Sequence, residues 1–274
     1  MTRPAATVAA RLSALRLVSF IPPERDAVHV GLLTPDAEQV VDLAGLGISD
    51  ALEALDQLPM LRQAAGAILR GPARSAFPVG GVHLVAPIPL VRSVVQGGVG
   101  GALHFADPVT LHGPGGHLAR ADASAVQVGL AAVVGASVKA ATDIDDDDLT
   151  EALVGTVVVL GWPIGSPVGM ILQPGAIGPF IAVPQRQPES LMLAVVAPLA
   201  VQSVPDDRVS VAAPTPAAFR DLARAALRSH VLRPGDLLAI FPEQVRPEER
   251  RPVSAGSWVR ASAPGLGTLS LAVR

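Results

Sequence analysis

The sequence predicts an α+β protein that is mainly β, with a small N-terminal α/β domain over residues 1–88 and a β-rich domain over 89–274. Three observations carry this. Val126–Val134, Gly155–Leu160 and Leu191–Val196 are near-continuous apolar runs of strand length, the pattern of strands covered on both faces. The first 85 or so residues instead mix short strand-like runs with a stretch of helical spacing. The chain has 274 residues, 50% of them hydrophobic and 16% charged, so it is globular in composition and long enough to bury a full core.

In the N-terminal unit, Leu15–Phe20, His29–Leu33 and Gln39–Asp42 read as strands, and Pro35-Asp36 starts a hairpin turn between the last two. Ile48–Leu69 has helical spacing, with Leu52, Leu55, Leu58, Leu61 and Ile68 on related faces, and Pro59 splits it. Val82–Pro89 reads as a strand closing on a proline-fixed turn, the joint between the two domains. Beyond it, Gly97–Gly101 is a glycine-rich stretch and His112–His117 a tight turn. Thr142–Leu153 predicts a helix opening on an acidic cluster, and Thr215–Ser229 a second one with a Thr cap and Pro in its first turn. Arg233-Pro234-Gly235-Asp236 is a turn feeding a strand over Leu237–Phe241, and Gly265–Val273 is a closing strand.

Several function classes fall away. A net charge of −3 gives no nucleic-acid footprint. With no cysteine there is no disulfide, thiolate nucleophile or Cys-ligated metal. No run of 18 apolar residues is free of Gly, Pro or charge, and the N-terminus lacks the continuous apolar core of a signal peptide, so a cytoplasmic protein with no membrane partner is expected. No G-x-S-x-G follows a strand, and the glycine-rich stretch has neither the Lys-Ser/Thr ending of a phosphate loop nor dinucleotide spacing. Asp145–Asp148 reads as a solvated helix N-terminus, where carboxylates are favoured by the dipole. His104, His112 and His117 fit no compact metal motif, and Lys139 reads as exposed. Trp162 and Trp258 read first as core residues.

Taken in order, six segments resemble the fumarylacetoacetate hydrolase family. GLLTPDAEQVVDL is similar to its opening segment and LHGPGGHLAR to the turn before its metal-binding strand. QVGLAAVVGASVKAATDIDDDDLTEALVGTVVV matches its strand, Gly turn, acidic helix start and second strand. AIGPFIAVP, VLRPGDLLAIFP and SAGSWVRASAPGLGTLSLAV resemble its later strands and turns. The resemblance implies a family-type β-sandwich roll, with a barrel-like C-terminal domain, behind the small N-terminal domain. It also implies a Glu-x-Glu pair and an Asp on the next strand holding Mg²⁺, Mn²⁺ or Ca²⁺. Here the resemblance puts Gln127 and Gly129 at the two glutamates and Gly161 at the aspartate. The family lysine falls near Gly169, Ile240-Phe241-Pro242 replaces the Gly-Thr-Pro turn, and the His-x-x-Glu lid helix is unmatched. A hard cation needs several oxygen ligands, most of them anionic, and one amide oxygen does not replace them.

The resemblance therefore implies a cleft with neither metal nor organic cofactor. Gly129, Leu160, Gly161, Trp162, Met170 and Phe241 would bind substrate, with Gln127, His104 and Gln173 as the polar, catalytic groups. Such a site suits metal-independent isomerisation, dehydration or cyclisation of an apolar keto or enol compound, where orientation does most of the work. The alternatives are a non-catalytic partner of an active relative, whose cleft would be plugged by side chains, and a metal-dependent hydrolase or decarboxylase of β-dicarbonyl acids. A homodimer is expected from the resemblance and from the apolar strands.

Overall fold

Hydrophobic alternation, punctuated by turn residues, lays the first strands side by side. The computed structural model describes residues 15–71, 75–97, 103–106, 111–119, 126–139, 144–164, 171–183, 188–196, 207–242 and 254–274. Strands β1 (Leu15–Ile21), β2 (His29–Leu33), β3 (Gln39–Asp42) and β4 (Ala76–Pro78) form an antiparallel ribbon. The β2–β3 turn closes where expected, with Thr34 N donating to Gln39 O at 2.9 Å and Asp36 Oδ1 accepting from Glu38 N at 3.1 Å. His29 Nδ1 lies 2.9 Å from Oδ2 of the buried Asp42, which ties the outer strands together.

The stretch of helical spacing folds as two helices, α1 (Ala51–Asp56) and α2 (Leu58–Arg70). Pro59 stands in the first turn of α2, where its missing N–H would have had no partner. Asp50 caps α1 by accepting from Glu53 N at 2.9 Å, and Glu53 reaches back to Ser49 N at 2.7 Å. The strand expected over Val82–Pro89 shrinks to β5 (His83–Leu84). Pro87 and Pro89 offer no N–H to a ladder, and the Pro87 carbonyl is held instead by Ser19 Oγ at 2.8 Å.

The second segment supplies β6 (Val94–Gly97), β7 (Leu103–Ala106), β8 (His117–Leu118) and β9 (Gln127–Val134). It continues with α3 (Asp146–Ala152), β10 (Leu153–Ile164), β11 (Ile171–Val183), β12 (Ser190–Val196) and β13 (Asp207–Ala212). The chain ends with α4 (Pro216–Leu227), β14 (Leu237–Ile240), β15 (Trp258–Ala263) and β16 (Gly267–Val273). The larger sheet runs β4-β3-β2-β1-β11-β10-β9-β14-β6-β7, with β5 on β1, and the smaller β13-β12-β15-β16-β8. Because β1 pairs with β11, segments 1–88 and 89–274 share the larger sheet.

The two faces of the larger sheet carry separate cores. On one, Leu130, Leu160 and Leu238 pack with Leu191, Val259 and Leu271 of the smaller sheet and with Phe219 of α4. On the other, Ala131, Val133, Val159 and Ala239 pack with Leu55, Leu58 and Leu61 of the first two helices. The acidic run opens α3 as expected: Asp145 accepts from Asp148 N at 2.8 Å, and Asp146 pairs with Arg220 at 3.3 Å and with Arg224 of α4. Trp258 departs from expectation. It lies on the outer face of the smaller sheet, 38% exposed, because its neighbour Val259 takes the inward position.

Candidate functional site

The three positions at which the resemblance places metal ligands do come together. Gly161 on β10 is the cross-strand partner of Gln127 on β9, and Gly129 lies two residues along the same face, opposite Val159. Strand β14 runs along the other side of β9, with Ile240 opposite Leu130, and Phe241 follows at its end. A Cβ built on Gly129 would stand 2.6 Å from the Ile240 carbonyl oxygen and 2.8 Å from Phe241 Cδ1. The aromatic ring and a backbone oxygen thus occupy the space where a second ligand side chain would begin.

This locus does not fit a divalent cation held by carboxylates. It offers one amide oxygen, from the half-buried Gln127, between two glycines, and the third side is apolar. Among the described residues no group of three or more His, Asp or Glu side chains is placed to hold a metal ion.

The remaining site residues are distributed over both faces of the sheet. Leu160 and Trp162 flank Gly161 in sequence, so they point to the opposite face from it. Leu160 is wholly buried in the core between the sheets, and Trp162 packs against that same core with its ring over Gly175, where a Cβ would need to be. Neither shares the face of Gln127, Gly129 and Phe241, which corrects the expectation that all of them border one pocket. His104 lies on the Gln127 face but three strands away, about 14 Å at the usual strand spacing, and its row meets β9 at Ala131, a further ~13 Å along the strand from Gln127. Met170 and the Gln173 side chain lie outside the described residues, although the Gln173 backbone pairs with Trp162.

One polar residue on this face was missed. Gln96 on β6 is only 6% exposed and stands opposite His104, in the row that continues through Ala239 to Ala131. The sequence signal was available, since a lone amide in the apolar run Val94-Val95-Gln96 is out of pattern for a buried strand. The site is therefore the Gly161–Gly129 surface crossed by Phe241, with Gln127 beside it. Ala131 and Ala239, next along the same face, are buried under the first two helices and separate it from Gln96 and His104. Elsewhere, His83, His112 and His117 border a cleft of about 470 Å³, and His83 had not been singled out. Lys139 is exposed, as expected.

No protein-family model and no curated protein matches the sequence. Solved structures do match over nearly the whole chain. Maleylpyruvate hydrolase from Sphingobium sp. SYK-6, in complex with manganese(II) and pyruvate, is 18% identical, with a TM-score of 0.67 over 94% of this chain and 98% of its own. For 5-carboxymethyl-2-hydroxymuconate delta-isomerase from Mycobacterium smegmatis the identity is 17% and the TM-score 0.62, with the same coverage of 94% and 98%. For 2-hydroxyhepta-2,4-diene-1,7-dioate isomerase from Mycobacterium marinum the values are 17% and 0.59, again over 94% and 98%. At this identity the likeness is one of fold: over nearly its whole length the chain has the fold of the fumarylacetoacetate hydrolase superfamily.

Proposed function

We propose that this chain is a small-molecule enzyme on the fumarylacetoacetate hydrolase fold that works without a metal ion, isomerising, dehydrating or cyclising an apolar keto or enol compound. The observation that carries the metal-free part is the packing of Phe241 and the Ile240 carbonyl on Gly129, next to the Gln127–Gly161 pair. The enzyme part is supported by the names of its structural neighbours, a hydrolase and two isomerases.

In this reading the amide N–H of Gln127 donates to the substrate's carbonyl or enol oxygen and orients it. Gly129, Gly161 and Phe241 give the apolar surface beside it. Water carries the proton from carbon to oxygen, because His104 stands too far along the sheet to reach a small substrate held by Gln127, and an isomerisation neither gains nor loses atoms. One orienting hydrogen bond contributes roughly 1 kcal/mol, so Gln127→Ala is expected to slow turnover about fivefold. The test follows the tautomerisation of an aromatic 2-oxo acid, and of a panel of apolar ketones, by ultraviolet absorbance. Acceleration over buffer that falls in Gln127→Ala supports the proposal.

A second reading has its own observation. An aromatic ring over Gly129 is also what a non-catalytic relative with a plugged cleft would have. Folded protein that accelerates none of these reactions, in either its native or its Phe241→Ala form, would favour that reading.

A further inference from the structure

At the far end of the strands from the candidate site, where the parallel strands β14 and β6 both begin, lies a cleft of about 660 Å³. Asp236 and Phe241 bracket β14, so the two places are about 17 Å apart at the rise of a strand. Asp236, 2% exposed, organises this cleft. Its Oδ1 accepts from Ser93 Oγ at 2.8 Å and its Oδ2 from Arg233 N at 2.7 Å, which pins the segment before β6 against the turn before β14. The same two hydrogen bonds bring Arg92 and Arg233 to one rim.

The chemistry of the lining is amphipathic. Both guanidiniums are exposed, and among the described residues neither has a carboxylate partner; the one acid in the lining is already held by two donors. The cleft is thus locally cationic in a chain whose net charge is −3. Beside the arginines stand apolar side chains left open to solvent, Leu90 at 70% and Val231 at 37%. The His230 ring, another lining group, meets that of Phe105, itself 46% exposed, at 5.2 Å and a tilt of 50°.

We infer that this cleft is a second ligand site, which binds a small monocarboxylate with an aliphatic tail. A guanidinium meets a carboxylate with paired, charge-assisted hydrogen bonds, and here two are available. The tail lies along Leu90 and Val231 and removes their exposed surface from water. Neither part suffices alone, because the cleft is too apolar for a bare anion and its rim too charged for a neutral hydrocarbon.

Isothermal titration calorimetry with octanoate tests this, using 1-octanol (tail without charge) and acetate (charge without tail) as controls. Octanoate is expected to bind saturably below about 10 mM, and each control to bind at least about tenfold more weakly. Arg92→Ala and Arg233→Ala are exposed changes that leave the circular dichroism spectrum intact, and each is expected to weaken octanoate about tenfold. Gln127→Ala, at the other end of the sheet, should leave octanoate binding as it is. Absence of saturation, equal binding of 1-octanol, parent-like binding by both arginine variants, or loss of binding in Gln127→Ala would each overturn the inference.

Discussion

At Gly129 an added side chain has nowhere to go, because the Ile240 oxygen and the Phe241 ring already stand within 2.8 Å of where its Cβ would be. Gly129→Val should therefore destabilise the protein by about 1–3 kcal/mol, the usual cost of overpacking. Urea denaturation measures this, and the double variant with Phe241→Ala should recover part of the loss. An unchanged midpoint would mean that Phe241 does not sit on Gly129. At the β2–β3 turn, the Asp36 carboxyl is held below its ordinary range, chiefly by the Thr34 hydroxyl and then by the Glu38 backbone N–H. With its folded pKa depressed, the turn is stabilised at pH above the ordinary carboxylate value, and that stabilisation is lost as pH falls through the lower folded pKa. A carbon-detected NMR titration should give Asp36 a midpoint below that of a free aspartate. A midpoint at or above it would contradict the hydrogen bonds described.

Among the elements, β1, β2 and β3 were legible almost residue for residue, because each is a short apolar run between turn residues. The start of α4 was equally plain from Thr215-Pro216, and Thr215 Oγ1 does accept from Ala218 N at 3.3 Å. Thr215→Ala should cost about 1 kcal/mol of stability, read from the denaturation midpoint; no change would mean that the cap is idle. Less legible was β11, whose Pro174, Gly175, Gly178 and Pro179 look like breakers. The β10–β11 ladder absorbs them by shifting register twice, at Thr156/Val158 and at Leu160/Gly161, which local pattern cannot foresee. The same limit applies to the site. Alignment brought Gln127, Gly129, Gly161 and Phe241 to one place, as the ladder has them. Leu160 and Trp162, expected to line the same cleft, flank Gly161, and strand alternation sends them to the other face. Which strands stand between His104 and β9 depends on the non-sequential order β9-β14-β6-β7, and no local signal encodes that order.

For the whole molecule, an identity of 17–18% with the structural neighbours still gives the same fold. Cores tolerate extensive exchange when volume and apolar pattern are kept, and the two cores here are built largely of Val, Leu and Ala. We also expect a homodimer in solution, which light scattering would report as about twice the chain mass of 28.0 kDa; a monomer at micromolar concentration would count against it. No helix among the described residues is long and apolar enough to cross a membrane. The central claim is that this fold is used here without a metal ion at the place where the resemblance puts its ligands, Gln127, Gly129 and Gly161. Thermal melting of the purified protein with excess EDTA, and then with added Mn²⁺, tests it most directly, because a folded-state metal ligand raises the melting temperature by mass action. The result expected is one melting temperature throughout; a fall with EDTA that Mn²⁺ restores would contradict the claim.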